Sequence, residues 1–232
     1  MDENWFTFND YDSRELGIFI EEMPEIVSAT DKTEIIKIDG RDGFLSYSSD
    51  ARDSFPLSIT CRLNEDASID NVCAYLRGIG KLVLSNNSKR FYNAIIYNQV
   101  SFSRTFRQYK TFTILFECQP YAYEIENDTF TYRKFNSPLT FILDNETNAT
   151  FKPTIKVCGD GDTTLTINGN TINLTLDDYM TLDFELEDAT KNGVNRNNKI
   201  SGIFKPLIIG DNVITCGNEI TQVDVIPNFR WR

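Results

Sequence analysis

Histidine is absent from the whole chain of 232 residues. Its absence excludes Ser-His and Cys-His nucleophilic pairs and histidine metal ligands, and it removes the side chain that most often acts as a general base near neutral pH. Catalysis by carboxylates is the chief enzymatic option that is left. The sequence therefore favours a protein that is not an enzyme.

Segments that would insert into a membrane or direct export are also missing. No run comes close to the roughly 18 consecutive apolar residues that indicate a membrane-spanning helix. The N-terminus, residues 1–5, is acidic and has no basic region followed by an apolar stretch, so it is not a secretory signal. We expect the protein to fold in the cytoplasm of the cell that makes it, without membrane insertion.

Clustered positive charge is a third absence. The net charge is −11, and no block of Lys and Arg interrupts the acidic composition. Neutralising nucleic-acid phosphates requires grouped cations, so sequence-specific binding of nucleic acid is disfavoured. No phosphate-binding motif of the GxxxxGK[ST] or GxGxxG type is present, and we predict no bound cofactor.

The five cysteines are far apart, odd in number and never in CxxC spacing. This pattern argues against a zinc site or a redox motif. Each one lies in an apolar run, where a free thiol behaves as a small hydrophobic side chain. The sequence predicts that role for all of them: Cys61, Cys73, Cys118, Cys158 and Cys216.

Residues 1 to about 125 alternate strand-like runs with one helix. Runs of strand character, several with apolar residues at every second position, predict six strands in this part of the chain: Leu16–Ile20, Ile35–Ile38, Pro56–Leu63, Lys81–Leu84, Phe91–Val100 and Lys110–Cys118. Between the third and fourth strands, residues 66–78 change to a helical period.

Four apolar residues in this segment are spaced i, i+3, i+4 and i+7 and predict a short amphipathic helix with its stripe in the core: Ile69, Val72, Cys73 and Leu76. Asp66 or Ser68 can cap the start of the helix. Gly78 can adopt the left-handed conformation that ends it.

The stretch Lys37–Leu45 holds two Asp-Gly turn signals within a few residues. It lies between the apolar alternation of Ile36 and Ile38 and that of Leu45 and Tyr47. Asp and Gly supply the positive-φ positions and local hydrogen bonds that a tight reversal needs. The sequence therefore predicts a loop that joins two strands here.

The helical signal disappears from about Asn127 onward. Short apolar runs then alternate with Asn, Asp and Gly clusters, and Asn168-Gly169-Asn170 is a strong hairpin signal. Runs of this length and spacing predict a β-sandwich. The polar segment Glu124–Asp128 is the predicted boundary, which gives an N-terminal domain of residues 1–125 and a C-terminal domain of residues 126–232.

Carboxylates supply the remaining candidates for chemistry. Asp183, Glu185 and Glu187 alternate with apolar residues, which would place them on one strand face at the separation that a glycosidase needs. Nothing marks one of them as an acid and another as a nucleophile. A solvated sheet face is the favoured interpretation, and we predict no catalytic residue.

Clusters of acidic residues also raise the question of calcium. Asp160-Gly161-Asp162 and Asp177-Asp178-Tyr179 offer grouped oxygens, and residues 188–193 resemble the start of an EF-hand loop. Lys199 occupies the place where that loop needs its bidentate Glu. Turn chemistry explains all three stretches, and we predict no metal site.

The order of short motifs along the chain is more informative than any single one. The motifs are Phe8-Asn9-Asp10, Leu16-Gly17-Ile18, Ile38–Gly43, a strand that ends in Cys61, the helix, Leu76–Leu82, Arg90-Phe91-Tyr92, Phe116–Tyr123 and Phe204–Ile214. This order resembles the distal tail protein (Dit) family of phages with long non-contractile tails. The resemblance covers most of residues 5–125 and the end of the chain.

The resemblance implies a mainly β fold with one short helix. It implies an N-terminal β-rich domain that forms a ring, usually hexameric, and a C-terminal galectin-like β-sandwich. Such a ring would join the tail tube to the tail-tip hub at the tip of the virion tail, contact a receptor-binding protein, and leave a channel for DNA. An acidic lumen would suit DNA passage because it repels phosphates.

Within this interpretation the loop residues are the candidate subunit-interface positions: Asp39, Gly40, Arg41, Asp42 and Gly43. Arg41, a lone cation among acids, either fixes the loop locally or contacts a neighbouring subunit. The alternative function is a carbohydrate-binding adhesin of the tail tip, in which the C-terminal domain recognises the host surface. The histidine that galectins use for sugar is missing here.

Overall fold

The computed structural model describes residues 4–25, 27–98, 100–105, 109–134 and 138–232, with backbone alone at residue 50 and at residues 103–105 and 109–110. The chain forms two compact units, Met1–Ile125 with Arg232 and Glu126–Trp231. Among the described residues there is a single α-helix, and the mainly β fold with one short helix is confirmed. No helix in these ranges is long and apolar enough to cross a membrane.

The first unit contains ten strands and the helix. In chain order they are β1 (Phe6–Phe8), β2 (Tyr11–Asp12), β3 (Ile18–Glu22), β4 (Asp31–Ile36), β5 (Leu45–Arg52), β6 (Phe55–Leu63), α1 (Ile69–Tyr75), β7 (Gly78–Leu84), β8 (Arg90–Ile96), β9 (Ser103–Thr105) and β10 (Tyr109–Glu124). Their main sheet has the order β2-β1-β7-β8-β10-β6-β3, and β9 also pairs with β10. The strands β4 and β5 form a separate two-stranded sheet.

The core of the first unit lies on one face of this sheet. Strand β6 alternates buried and more exposed positions along its whole length, as the sequence predicts. The ring of Phe116 in β10 is fully buried and makes edge-on contacts with Phe6 and Phe8 of β1, at centroid distances of 6.0 and 5.4 Å. These aromatic contacts join the start of the chain to its longest strand in this unit.

The helix is shorter than predicted. Ser68 is its N-cap, and its hydroxyl accepts a hydrogen bond from the backbone N–H of Asn71. Val72 and Leu76 are buried, but Cys73 is exposed, so the prediction that it lies in the core is wrong. A helix of two turns buries only a narrow stripe, and Cys73 lies about 100° around the axis from Val72.

The cysteines therefore differ in reactivity. Cys61, Cys118 and Cys216 are buried, and desolvation raises the pKa of each thiol to about 12. The thiolate is the reactive form. We expect a maleimide at neutral pH to modify Cys73 quickly in the folded protein, while these three thiols react only after unfolding. Mass spectrometry after a short exposure measures this; equal labelling of Cys61 and Cys73 would contradict it.

The second unit consists of β11 (Phe130–Arg133), β12 (Thr140–Asn145), β13 (Thr154–Ile167), β14 (Asn170–Asp183), β15 (Asp188–Lys191), β16 (Val194–Asn195), β17 (Ile200–Ser201), β18 (Gly210–Cys216), β19 (Ile220–Ile226) and β20 (Arg230–Trp231). Its strand order is β11-β19-β13-β14-β15-β16, with β18 paired to both β12 and β13 and β17 paired to β14. The first half of β13 pairs with β19 and its last residues pair with β18. Because β13 changes its partner in this way, the strands enclose one apolar core.

The hairpin predicted at Asn168-Gly169-Asn170 is confirmed. It joins β13 to β14 through Asn168 and Gly169, whose φ angles of 48° and 79° suit a two-residue hairpin turn. Four of the short runs predicted as separate strands are instead parts of these two 14-residue strands: Thr154–Val157, Thr164–Ile167, Thr171–Leu174 and most of Met180–Phe184. The other two, Leu139–Leu143 and Val213–Thr215, correspond to β12 and β18. The Asp160 and Asp177 clusters predicted as turns lie inside them, and Asp160 pairs with Asp177 across the ladder.

A buried polar network fixes one end of the second unit. Asn145 and Asn212 are 1% and 0% exposed. The Asn145 amide donates to the carbonyls of Ala149 and Ile208, and the Asn212 amide also donates to Ile208. The Dit resemblance implies a turn at Gly210-Asp211-Asn212, but these residues are the first three of β18. Nothing in the sequence shows that Asn212 is buried.

Candidate functional site

The predicted site lies at the tip of the hairpin that β4 and β5 form. The strand β4 ends at Ile36, two residues earlier than predicted, and residues 37–44 form the connecting loop. Every residue from 31 to 48 is exposed. The predicted strand–loop–strand arrangement is confirmed, but its apolar alternation does not face a core of this chain.

The register gives this hairpin two different faces. Ile36 pairs with Leu45 and Glu34 pairs with Tyr47, so these four side chains share one face. Ile36, Leu45 and Tyr47 are 44%, 41% and 65% exposed. We call these four residues the apolar hairpin face. The opposite face carries Ile35, flanked by hydroxyl-bearing residues.

The root of the hairpin is fixed by Arg52. Its guanidinium forms an ion pair with Asp31 at 3.1 Å and donates to the carbonyl of Ala29 at 3.2 Å. The backbone N–H of Asp53 also donates to the carbonyl of Thr30. These contacts fix the base of the β4–β5 hairpin, which we call the arm, to the first unit.

The five predicted interface positions, Asp39 to Gly43, are all exposed at the tip. Gly40 and Gly43 have φ angles of 79° and 82°, which L residues adopt at a cost, and the N–H of Arg41 donates to the carbonyl of Ile38. Within the described part of the chain, no acidic group forms an ion pair with the Arg41 guanidinium. Their role in an interface stays a prediction.

A second exposed apolar surface lies on the outer side of the main sheet. Ile79 of β7 pairs with Ile95 of β8, and Lys81 pairs with Asn93 two residues further along. We call these four residues the β7–β8 face. Ile79 is 77% exposed, more than any other large apolar residue that the structure describes, and Ile95 is 38% exposed. Sequence reasoning missed this surface; the signal was Ile79 between two glycines.

The carboxylate trio does not form the predicted strand face. The strand β14 ends at Asp183, and Glu185 and Glu187 belong to the turn that follows. The Asp183 carboxylate accepts the backbone N–H groups of Glu185 and Leu186 at 2.9 and 3.0 Å. Asp183 therefore stabilises this turn, because the short side chain of an aspartate can accept hydrogen bonds from the backbone N–H groups of the next few residues.

The acidic clusters do not converge either. Across the described residues, no group of three or more Cys, Asp or Glu side chains is placed to hold a metal ion. Asp162 accepts a hydrogen bond from the Thr175 hydroxyl at 2.7 Å. Asp188, where the EF-hand likeness began, is the first residue of a strand and accepts from the Asn195 amide.

The second unit carries a polar groove on the surface of β14. Two depressions of about 400 and 250 Å³ share Thr175 and Lys199 in their walls. The ring of Tyr179 lines the smaller one, but the ammonium groups of Lys156 and Lys191 lie 4.5 and 5.4 Å from its centroid. The aromatic surface on which a sugar would stack is thus already in contact with cations.

The two units define a fold that is known among phage tail proteins. The chain is similar to the crystal structure of the SPP1 Dit (gp 19.1) protein, a paradigm of the hub adsorption apparatus in phages that infect Gram-positive bacteria. The TM-score is 0.77 with 14% sequence identity, and the similarity covers 97% of this chain and 98% of the other. The fold implied by the Dit resemblance is confirmed. No protein-family model and no curated protein matches the sequence.

Proposed function

We propose that this protein is a structural component of a phage tail tip and that it works by assembly rather than catalysis. Copies of the first unit form a ring, with six subunits, that joins the tail tube to the tail-tip hub and surrounds a channel for DNA. The second unit docks the receptor-binding parts. The observation that carries this proposal is the fold shared with SPP1 Dit along nearly the whole chain.

The exposed arm gives the proposed assembly a physical basis. A soluble monomer gains nothing from an anchored hairpin that exposes Ile36, Leu45 and Tyr47 on one face, whereas an assembly buries them. Covering such side chains contributes about 25 cal/mol per Å² of apolar surface removed from water. Asp39, Gly40, Arg41, Asp42 and Gly43 lie at the end of this arm, where a neighbouring subunit would meet them.

The charge of the chain supports the proposed channel. A ring of six copies, each with a net charge of −11, presents a strongly acidic assembly. A lumen that shares this acidic character repels phosphates, so the genome would pass through the channel without adhering. In this proposal the protein assembles in the host cytoplasm and ends at the tip of the virion tail. The adhesin alternative stays a prediction, because no feature of the described groove specifically favours sugar.

The ring and its dependence on the hairpin can be tested together. We expect mass photometry of the wild type to give a species of about 160 kDa, six times the chain mass of 26.6 kDa. Ile36→Asp places an uncompensated charge on the apolar hairpin face and should leave a folded monomer. Negative-stain electron microscopy then distinguishes rings from disordered aggregates.

The matched control is Ile35→Asp, the same substitution one residue earlier. Ile35 is 58% exposed and lies on the opposite face of the hairpin, so the ring should persist. Circular dichroism confirms that both variants fold. A wild type that stays monomeric at all concentrations, without rings in micrographs, would overturn the proposed function.

A further inference from the structure

Two exposed surfaces of the first unit have matching patterns. On the apolar hairpin face, the pair Ile36–Leu45 is followed two residues along the strand by Glu34. On the β7–β8 face, the pair Ile79–Ile95 is followed two residues along by Lys81. Two residues along a strand span about 6.6 Å, so the distance from apolar pair to charge is the same on both surfaces.

The two charges have opposite signs and are available. Glu34 and Lys81 are both exposed, and neither forms an ion pair within the described part of the chain. The Lys81 ammonium lies 4.6 Å from the ring centroid of Phe91, which keeps it on the outer side of the sheet. Glu117 of β10 pairs with Ile95 and therefore lies on the same side of the sheet, and its carboxylate accepts a hydrogen bond from the Ser54 hydroxyl.

We propose that the apolar hairpin face of one copy packs on the β7–β8 face of the next copy, with Glu34 against Lys81. This inference rests on the proposed ring and names the surfaces that form it. Both surfaces are exposed in a single chain, so neither covers the other within it. Because they are different patches of one chain, their contact is head-to-tail, and a head-to-tail contact generates a ring when its rotation closes.

The charge pair gives the contact its register. Sliding the hairpin by one residue would exchange its apolar face for the face with Ile35 and the hydroxyl groups, since side chains alternate along a strand. Sliding it by two residues would place Glu34 over Ile79 and leave the charge without a partner. Only one placement covers the apolar pairs and joins the two charges.

Charge reversal tests the pairing. We expect Glu34→Lys or Lys81→Glu alone to weaken subunit association by about ten-fold or more, because each places like charges together. The double variant restores the pair in reverse and should return to within about three-fold of the wild type, as in any double-mutant cycle of a direct contact. Lys89→Glu, the same charge change just before β8, is the control and should have no effect. Mass photometry across a concentration series measures all five proteins.

The outcomes separate this inference from the proposed function. Loss in both single variants with recovery in the double variant supports the pairing. If Ile36→Asp disrupts the ring but the single charge reversals leave it intact, the pairing is overturned and the proposed ring stands. The same holds if the double variant fails to restore association. A β7–β8 face that serves another tail component would give this result. A wild type that never assembles overturns both.

Discussion

Replacing Phe116 with alanine is expected to lower the free energy of unfolding of the first unit by about 3 to 5 kcal/mol. Its ring is fully buried in β10 and contacts Phe6 and Phe8 of β1. Truncation leaves a cavity between these strands and removes both edge-on contacts, so the loss includes a cavity cost besides the transfer cost. Hydrogen exchange of the β6 and β10 amides measures the change in this unit alone.

The matched control for this variant is Phe19→Ala. Phe19 is 39% exposed on β3, and its ring contacts only the guanidinium of Arg62 among the aromatic and cationic groups that the structure describes. Its truncation should cost about 1 kcal/mol or less. Equal effects of the two variants would contradict the core position of Phe116.

Asn212→Ala is expected to destabilise the second unit by about 2 to 4 kcal/mol. The Asn212 amide nitrogen donates to the carbonyls of Gly210, Ile208 and Leu143 at 2.9, 3.0 and 3.3 Å. Its oxygen accepts from the N–H of Ile208 and from the Asn168 side chain at 2.9 and 2.8 Å. Alanine removes the whole set of bonds and leaves the buried Leu143 carbonyl without this donor, although the Ile208 carbonyl keeps its bond from Asn145. Unpaired buried groups cost more than the bonds themselves contribute.

Two further variants sharpen this test. Asn212→Asp keeps the size but removes the donor and adds a buried charge, so its loss should be at least as large. Asn173→Ala removes a single 3.3 Å bond from an exposed asparagine to Ser201 and should change stability by about 0.5 kcal/mol or less. Urea denaturation, monitored by hydrogen exchange of the β13 and β14 amides, compares the variants. A urea midpoint for Asn212→Ala equal to that of the wild type would refute the role of the network.

Local sequence patterns predicted the parts of the fold that depend on local chemistry. The Asn168-Gly169 turn and the alternation of β6 need only neighbouring residues, and both are found. The long ladder of β13 and β14 was missed because Asp160 and Gly161 have low strand propensity. They stay in the strand because partners across the ladder hold them, and one sequence does not reveal which partners those are.

The hairpin shows a different limit. Alternation of apolar residues predicts that one face of a strand is covered, and Ile36, Leu45 and Tyr47 satisfy that pattern. It does not predict whether the cover comes from the same chain. The Asp39–Gly43 loop was therefore found from sequence, whereas the apolar hairpin face and the exposed Ile79 emerged only from the register and the exposure of each side chain.

The exposed β4–β5 hairpin also makes the unassembled protein prone to aggregation. A two-stranded sheet leaves unpaired backbone groups on both edges, and this one adds an apolar face, a combination that favours edge-to-edge aggregation. Net negative charge opposes such aggregation through mutual repulsion between chains. We therefore expect the protein to aggregate faster during storage in concentrated, high-salt buffer than in dilute, low-salt buffer. Salt screens the repulsion between chains, so that nothing then opposes association through the exposed hairpin.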